Sequence, residues 1–292
     1  MRWRTQRQSD NIEDRRGMGG GGGPRRPMAL GGGAIILLVA VALLTGQDPL
    51  VLLEQVSGPQ SSIDGGGGGG QPGPAGAPSD ELGQFSAAVL GSTEDVWTGV
   101  FRSGGRTYEQ PTLVLFSGSV DSACGYASAA VGPFYCPADS KVYLDLGFFD
   151  ELKRQFGAPG DFAQAYVVAH EIGHHVQNQL GIATKVHTAQ QRASQEEANA
   201  LSVRMELQAD CLAGVWANQA ARTANLIEPG DLEEGLTAAS AIGDDQIQRR
   251  GQGYVVPESW THGSSEQRTR WLRRGAQSGD IKDCDTFSAN DL

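Results

Sequence analysis

The sequence predicts an α+β fold, in which a mainly helical domain with a small β-sheet is preceded by one transmembrane helix. Three observations support this prediction. An apolar run occupies residues 28–45, two short strand patterns lie near residues 112–116 and 141–146, and helical periodicity dominates from residue 161 onward. The 292 residues are enough for one domain of about 200 residues and a tail.

Residues 1–27 are expected to form a basic, cytoplasmic tail, because they hold seven arginines and only three carboxylates. The whole chain nevertheless has a net charge of −11, so the remainder is strongly acidic. Phosphate binding needs clustered lysine and arginine. The charge distribution therefore argues against nucleic acid as a partner.

Residues 28–45 carry no charge and are mainly apolar, which predicts a membrane-spanning helix near the short end of the usual length. A cleaved signal peptide is the alternative, but the preceding leader is long and no clear Ala-x-Ala site follows. The basic flank lies before the apolar run. We therefore expect a single-pass protein of the cell membrane, with a cytoplasmic N-terminus and an extracytoplasmic domain.

Residues 46–79 are rich in glycine and proline and lack periodicity, so they are expected to be a linker to a folded domain at 80–292. Within that domain, the strands at 112–116 and 141–146 are expected to be neighbours in the sheet. Either one could present its edge to an extended substrate. Helical spacing and capping residues then predict four helices: 161–180, 189–221, one starting near Pro229, and one from Ser264 to Gly275.

The four cysteines form no C-x-x-C pair, which argues against a zinc knuckle. In an exported domain, an even number of cysteines favours disulfides, and we expect the pairs Cys124–Cys136 and Cys211–Cys284. Four buried free thiols are the alternative, because cysteine also packs as a small apolar side chain.

The helix at 161–180 contains His170-Glu171-Ile172-Gly173-His174, which matches H-E-x-x-H. Histidines four residues apart project from one helical face, so both imidazoles can reach the same metal ion. Glu171 is placed to take a proton from a zinc-bound water, whose pKa is about 7. The motif predicts one Zn²⁺ per chain with Glu171 as general base, although two surface histidines on an amphipathic helix are the alternative.

A catalytic zinc needs a third protein ligand. Glu206 and Asp210 are four residues apart on the next long helix, among the apolar neighbours Val203, Leu207 and Cys211. Buried carboxylates are costly unless they are paired or bound to metal. We expect Glu206 to bind the zinc and Asp210 to accept the second N–H of a ligand histidine. An exposed acidic stripe is the alternative.

The combination of His170, Glu171 and His174 with Glu206 and Asp210 resembles the gluzincin metallopeptidases. Glu206-Leu-Gln-Ala-Asp210 is similar to the E-x-x-A-D signature of the HtpX/Ste24 type. More extensively, the chain resembles the YpfJ-like family of bacterial neutral zinc metallopeptidases. This resemblance implies a zincin-like peptidase domain without naming a substrate, and we expect the substrate to be a peptide or an unfolded protein. Its matching stretches include residues 11–17, 132–137, 142–146 and 206–216.

Thr261-His262-Gly263, followed by Arg268, is similar to a T-H-P segment and arginine of the HtpX/Ste24 type, with Gly263 replacing the proline. The resemblance implies a catalytic role for His262, which could donate a hydrogen bond to the oxyanion formed on the substrate carbonyl. A residue that only leads into the next helix is the alternative.

These residues predict a membrane-anchored zinc metalloendopeptidase. A non-catalytic, membrane-tethered binding module that contains zinc is the main alternative, and Glu171 argues against it because a structural site needs no such carboxylate. A zinc hydrolase of a non-peptide bond, such as a cell-wall amide, is a third possibility. The sequence contains no cell-wall-binding repeat to support that activity.

Overall fold

A small sheet packs on a group of helices in the computed structural model, which describes residues 1–17, Gly76 and 78–292. The described helices are α1 (Glu81–Ser103), α2 (Gly147–Arg154), α3 (Asp161–Gln179), α4 (Ile182–Gln190), α5 (Gln195–Ala224), α6 (Asp231–Ala241), α7 (Asp244–Gln252) and α8 (Ser265–Ser278). The described strands are β1 (Ile12–Asp14), β2 (Thr112–Phe116), β3 (Ser119–Ser122), β4 (Gly125–Ser128), β5 (Phe134–Cys136) and β6 (Lys141–Asp145). The prediction of a mainly helical domain with a small sheet is confirmed.

Four strands form the main sheet in the order β1-β2-β6-β5, and β3 pairs with β4 in a separate hairpin. The strands β1, β2 and β6 are parallel, whereas β5 runs antiparallel to β6. The expected pairing of 112–116 with 141–146 is therefore present. Both of these strands lie inside the sheet, so the expectation that either offers a free edge is wrong. The edges of this sheet are β1 and β5.

The main core lies between the sheet and the helices and includes the fully buried side chains of Trp97, Trp216 and Trp271. The long helix α5 crosses its centre and packs closely on α8. Glycine permits this approach, since a Cβ atom at Gly275 would collide with the carbonyl oxygen of Cys211. The close packing brings residues of α8 to the part of α5 that carries the expected carboxylates.

Both expected disulfides are present, so this prediction is confirmed. Cys124–Cys136 joins the hairpin to β5 with a Cα–Cα distance of 5.8 Å. Cys211–Cys284 joins α5 to the 3-10 turn Ile281–Cys284 with a Cα–Cα distance of 5.5 Å. Each bond attaches a turn to a strand or a helix of the fold.

Residues 1–17 pack on the folded domain, although the prediction placed them in a tail, and residues 18–27 lie outside the described residues. Trp3 is buried and packs edge-on against Phe85 at a centroid distance of 5.5 Å. Ile12 is also buried, and its strand β1 extends the sheet beside β2. Apolar contacts and strand pairing therefore hold this segment in place despite its many arginines.

The prediction of a transmembrane helix is also wrong. Among the helices of the described residues, none is long and apolar enough to cross a membrane. The segment 28–45 itself lies outside the described residues, as do residues 46–75 of the predicted linker. The prediction of a single-pass membrane location with an extracytoplasmic domain, and of the membrane as a partner, is corrected accordingly.

The helix expected at 189–221 is present as α5, which begins six residues later at Gln195 and ends at Ala224, and the separate helix α4 precedes it. The side chain of Ser194 accepts a hydrogen bond from the backbone N–H of Glu197, and the Glu197 carboxylate accepts one from the backbone N–H of Ser194. This capping box starts a new helix at Gln195. The 30 residues of α5 then run past α3, which positions the site described next.

Candidate metal centre

Three side chains from α3 and α5 converge at one point. The Nε2 atom of His170 lies 3.1 Å from one carboxylate oxygen of Glu206, and Nε2 of His174 lies 3.3 Å from the other. One ligand atom from each residue lies within 4.8 Å of the other two. The helices can approach because residue 173 is glycine, whose added Cβ would lie 3.0 Å from the carbonyl oxygen of Ala209. The structure thus brings the three predicted ligands together.

The remaining imidazole nitrogens have acceptors that determine the tautomers. Nδ1–H of His170 donates to Asp210 over 2.8 Å, and Nδ1–H of His174 donates to the side-chain oxygen of Gln177 over 2.9 Å. Once its proton is released, each Nε2 would offer a lone pair to a metal on the side of Glu206. Two neutral imidazoles and one carboxylate are a typical donor set for catalytic zinc, so these residues fit that ion.

Asp210 occupies the expected position behind His170, and two further side chains bind it. Arg268 donates from Nε over 2.9 Å and from Nη2 over 3.0 Å, while the Tyr166 hydroxyl donates over 2.5 Å. All four side chains are buried. Tyr166 was not among the predicted site residues. Its position four residues before His170 on the same helix is the sequence signal that points to it.

Gln177 is a second residue that sequence reasoning missed. Besides accepting from His174, it donates to the backbone oxygen of Met205 over 2.7 Å and to the side chain of Gln208 over 3.1 Å. It therefore ties a ligand histidine to α5 next to Glu206. Its spacing of three residues from His174 was the available signal.

Charged neighbours shift the pKa values of His170 and Glu206 in the direction opposite to the effect of burial. Burial alone would lower the pKa of His170, but Asp210 and Glu206 outweigh this effect and raise it to about 10. Burial would raise the pKa of Glu206, yet His174 and His170 hold it well below its ordinary value. Without metal, His170 therefore binds a proton tightly. Metal binding to its nitrogen must release that proton, so metal affinity rises with pH.

Glu171 differs from the other carboxylates of the site. It is only 9% exposed, and burial raises its pKa, although His174 and His170 partly oppose this shift. Among the described residues, no side chain donates a hydrogen bond to it. A carboxylate with a raised pKa is better matched to proton transfer near neutral pH than an ordinary glutamate.

His262 lies outside the cluster of ligand atoms, in a loop organised by the buried Asp244. The Asp244 carboxylate accepts from the backbone N–H groups of Thr261, His262 and Gly263 over 2.8, 2.7 and 3.0 Å. Its other oxygen lies 3.2 Å from Nδ1 of His262, whose side chain is 53% exposed. Burial lowers the pKa of His262, but Asp244 and then Glu206 raise it to about 9.

Comparison with known proteins identifies the family. The chain belongs to the family described as "putative neutral zinc metallopeptidase", whose model matches residues 1–287. The Escherichia coli (strain K12) protein YpfJ is 49% identical over 289 residues, which cover 98% of this chain and 99% of YpfJ. The Mycobacterium bovis protein Mb2605 is 46% identical over 228 residues, covering 74% of this chain and 75% of that protein. No solved structure matches.

The resemblance to the YpfJ-like family is therefore confirmed, whereas these comparisons do not show a relation to the HtpX/Ste24 type. The family implies zinc as the cofactor and a peptide as the substrate. Its model begins at residue 1, in agreement with the packing of residues 1–17 on the domain.

Proposed function

We propose that the protein is a zinc-dependent endopeptidase in which His170, His174 and Glu206 hold one zinc ion. The observation that carries this proposal is the convergence of the three donor atoms, with Nδ1 of each histidine already bound to an acceptor. Such an arrangement leaves both Nε2 atoms to bind metal without further rearrangement of the rings.

Bound zinc would supply Lewis acidity, which lowers the pKa of water to about 7. Glu171 follows His170 directly and is buried beside the ligands. Its carboxylate takes the proton of the attacking water and later gives a proton to the leaving nitrogen. The raised pKa of Glu171 suits both transfers, because the group must accept a proton readily and also release it.

His262 is proposed to stabilise the negative charge that develops on the carbonyl oxygen of the substrate. Its half-exposed imidazole is held by Asp244 at Nδ1, which leaves the Nε2–H side directed away from that carboxylate. A donor held in place before the reaction needs no reorganisation when the charge forms. The pKa of about 9 keeps the ring protonated at neutral pH.

Asp210 is proposed to orient His170 for metal binding. Its charge is balanced by Arg268, so the pair does not leave an uncompensated carboxylate in the core. The Tyr166 hydroxyl donates to the same carboxylate oxygen of Asp210 that accepts from Nδ1–H of His170. These contacts leave His170 little freedom to rotate away from Glu206.

A non-catalytic zinc module would use the same three ligands. Glu171 is the residue that distinguishes such a module from a peptidase. Burying a carboxylate that receives no hydrogen bond from the described residues costs stability. A binding module gains nothing from this cost. A peptidase needs such a group next to the metal, so the placement of Glu171 favours catalysis.

The test uses the full chain, whose zinc content is measured by elemental analysis and whose activity is measured on fluorescein-labelled denatured casein. We expect one zinc per chain and cleavage that a chelator abolishes. Glu171→Gln should retain zinc but lose activity by about 10²–10⁴-fold, the usual contribution of a positioned general base. Glu196→Gln, at an exposed position of α5, is the matched control and should behave as wild type.

Absence of zinc from protein purified without chelator would contradict the metal assignment. Full activity of Glu171→Gln, with zinc retained, would show that Glu171 is not the base. A wild-type protein that holds zinc but cleaves neither casein nor any member of a mixed peptide library would support the binding module instead.

A further inference from the structure

His175 is a buried histidine that the proposed chemistry does not use. It follows the ligand His174 in α3, but one residue of an α-helix corresponds to a rotation of about 100°. His175 is therefore directed to another side of the helix, where it is 1% exposed. A polar ring in this position needs hydrogen-bond partners, and those partners define what the residue can do.

Both nitrogens of His175 bind segments of the sheet. Nε2–H donates to the backbone oxygen of Glu109 over 2.7 Å, in the segment that leads into β2. Nδ1 lies 3.0 Å from the hydroxyl of Tyr135 on β5, and that hydroxyl accepts from the side chain of Asn178 over 3.1 Å. The helix that carries the metal ligands is thus attached directly to β5.

Aromatic packing strengthens the same connection. The rings of Tyr135 and Tyr108 meet the His175 imidazole edge-on, at centroid distances of 5.3 and 5.5 Å. Hydrogen bonds fix the direction of a side chain, and edge-on aromatic contacts add attraction beyond the area that they bury. β5 is therefore held against α3 at one defined position.

β5 is an edge of the main sheet. It pairs with β6 on one side, and in residues 78–292 no other segment forms a backbone hydrogen bond with residues 134–136. The other edge, β1, lies at the opposite end of the strand order. An extended peptide can bind an open edge as an additional strand. Of the two edges, β5 is the one that is attached to the helix of the metal ligands.

We propose that His175 is a positioning residue that holds β5 in register with the metal centre, so that an extended peptide docked on β5 presents its bond to Glu171. This inference rests on the proposed peptidase function and specifies its substrate as a peptide segment in β conformation. His174 and His175 are neighbours on one helix, so a shift of β5 relative to His175 is also a shift relative to the metal. Misplacement of a reacting bond by about 1 Å can cost 10²-fold in rate.

The test is Tyr135→Phe in the full chain, since it removes the hydroxyl that binds His175 and retains the ring. Tyr143→Phe is the matched control, because Tyr143 lies on the neighbouring strand β6 and its hydroxyl donates over 2.7 Å to Asp139, which is not a residue of α3. We expect hydrogen exchange at residues 134–136 to rise in Tyr135→Phe alone, with zinc content unchanged. For peptides of eight or more residues, KM should rise about 2- to 12-fold, the equivalent of one hydrogen bond.

Tetrapeptides, which are too short to pair along β5, should show no change in KM. Equal hydrogen exchange in the two variants would overturn the inference, as would a loss of zinc from Tyr135→Phe or an equal rise in KM for short and long peptides. If wild type cleaves no peptide, the proposed function fails. The exchange measurement then decides by itself whether the contact between Tyr135 and His175 holds β5 on α3.

Discussion

Two aspartate–histidine pairs influence Glu206, and they differ in burial and in the origin of their counter-charge. Asp210 and His170 are both buried, with a contact of 2.8 Å. Asp244 is buried as well, but His262 is 53% exposed and its contact is longer, at 3.2 Å. The inner pair faces the core, whereas the outer pair reaches solvent.

The charge balance explains why the same two residue types serve different purposes. Arg268 neutralises Asp210 from the other side, so His170 can bind metal as a neutral ring without leaving a bare carboxylate in the core. Asp244 is bound by backbone N–H groups and has His262 as its cationic partner. His262 therefore remains protonated. One pair prepares a ligand, and the other prepares a hydrogen-bond donor for the substrate.

Removing His262, the exposed histidine, should have a larger effect on turnover than changing either aspartate. His262→Ala should lower kcat by about 10²–10³-fold, the usual loss when one donor to a developing oxyanion is removed. Zinc content should stay at the wild-type value, because His262 is not a ligand. His187→Ala, at an exposed position of α4, is the control and should leave kcat unchanged. A normal kcat for His262→Ala would assign His262 to loop structure alone.

The inner pair should instead govern metal affinity. Asp210→Asn retains the shape of the side chain but weakens its bond to His170, and zinc affinity should fall by about 10–100-fold. Competition with a chromogenic zinc chelator measures this change. Asp244→Asn should leave zinc affinity unchanged, which makes the two aspartates controls for each other. Equal losses of zinc in both variants would remove the distinction between the pairs.

How much of the site can be predicted from the sequence depends on how far apart its residues lie along the chain. His170, Glu171 and His174 share one helix, and Glu206 and Asp210 share another, so helical spacing alone aligns them. Asp244 and His262 meet because a helix start and a loop are brought together by tertiary packing. No periodic pattern connects those two positions. The pairing with Asp244 was therefore not predictable, although the similarity of residues 261–263 to a segment of the HtpX/Ste24 type pointed to His262 as a candidate.

The errors in the fold have a similar origin. Strand β1 has only three residues, and its pairing with β2 depends on a segment about a hundred positions later in the chain. Hydropathy selects residues 28–45 as a membrane span without information on contacts between the segments on either side. The break before α5 was predictable, because Ser194 and Glu197 form a capping box that the sequence displays.

The smallest effect, and the most specific, is expected from Asp244→Asn. Asparagine can still accept hydrogen bonds from the loop backbone, so the position of His262 should be largely retained. The charge of Asp244 is lost, and with it the main cause that raises the pKa of His262 to about 9. The charge of Glu206 still raises that pKa, while burial and Arg268 lower it. The alkaline limb of kcat should therefore move from about 9 toward the ordinary histidine value of about 6.5.

The sign of this change follows from which form of His262 is active. The protonated ring is the donor, and a raised pKa preserves it until the pH passes about 9. With a pKa of about 6.5, roughly a quarter of the rings are protonated at pH 7, so kcat at that pH should fall about fourfold. The ratio of variant kcat to wild-type kcat should recover at pH 5.5 if zinc is kept saturating, because both proteins then hold His262 mainly protonated. Asp245→Asn is the control, since Asp245 binds Ser265 and Arg249 and should leave the limb in place. An alkaline limb that stays near 9 in Asp244→Asn would show that another group titrates there, and His262 would not be the donor.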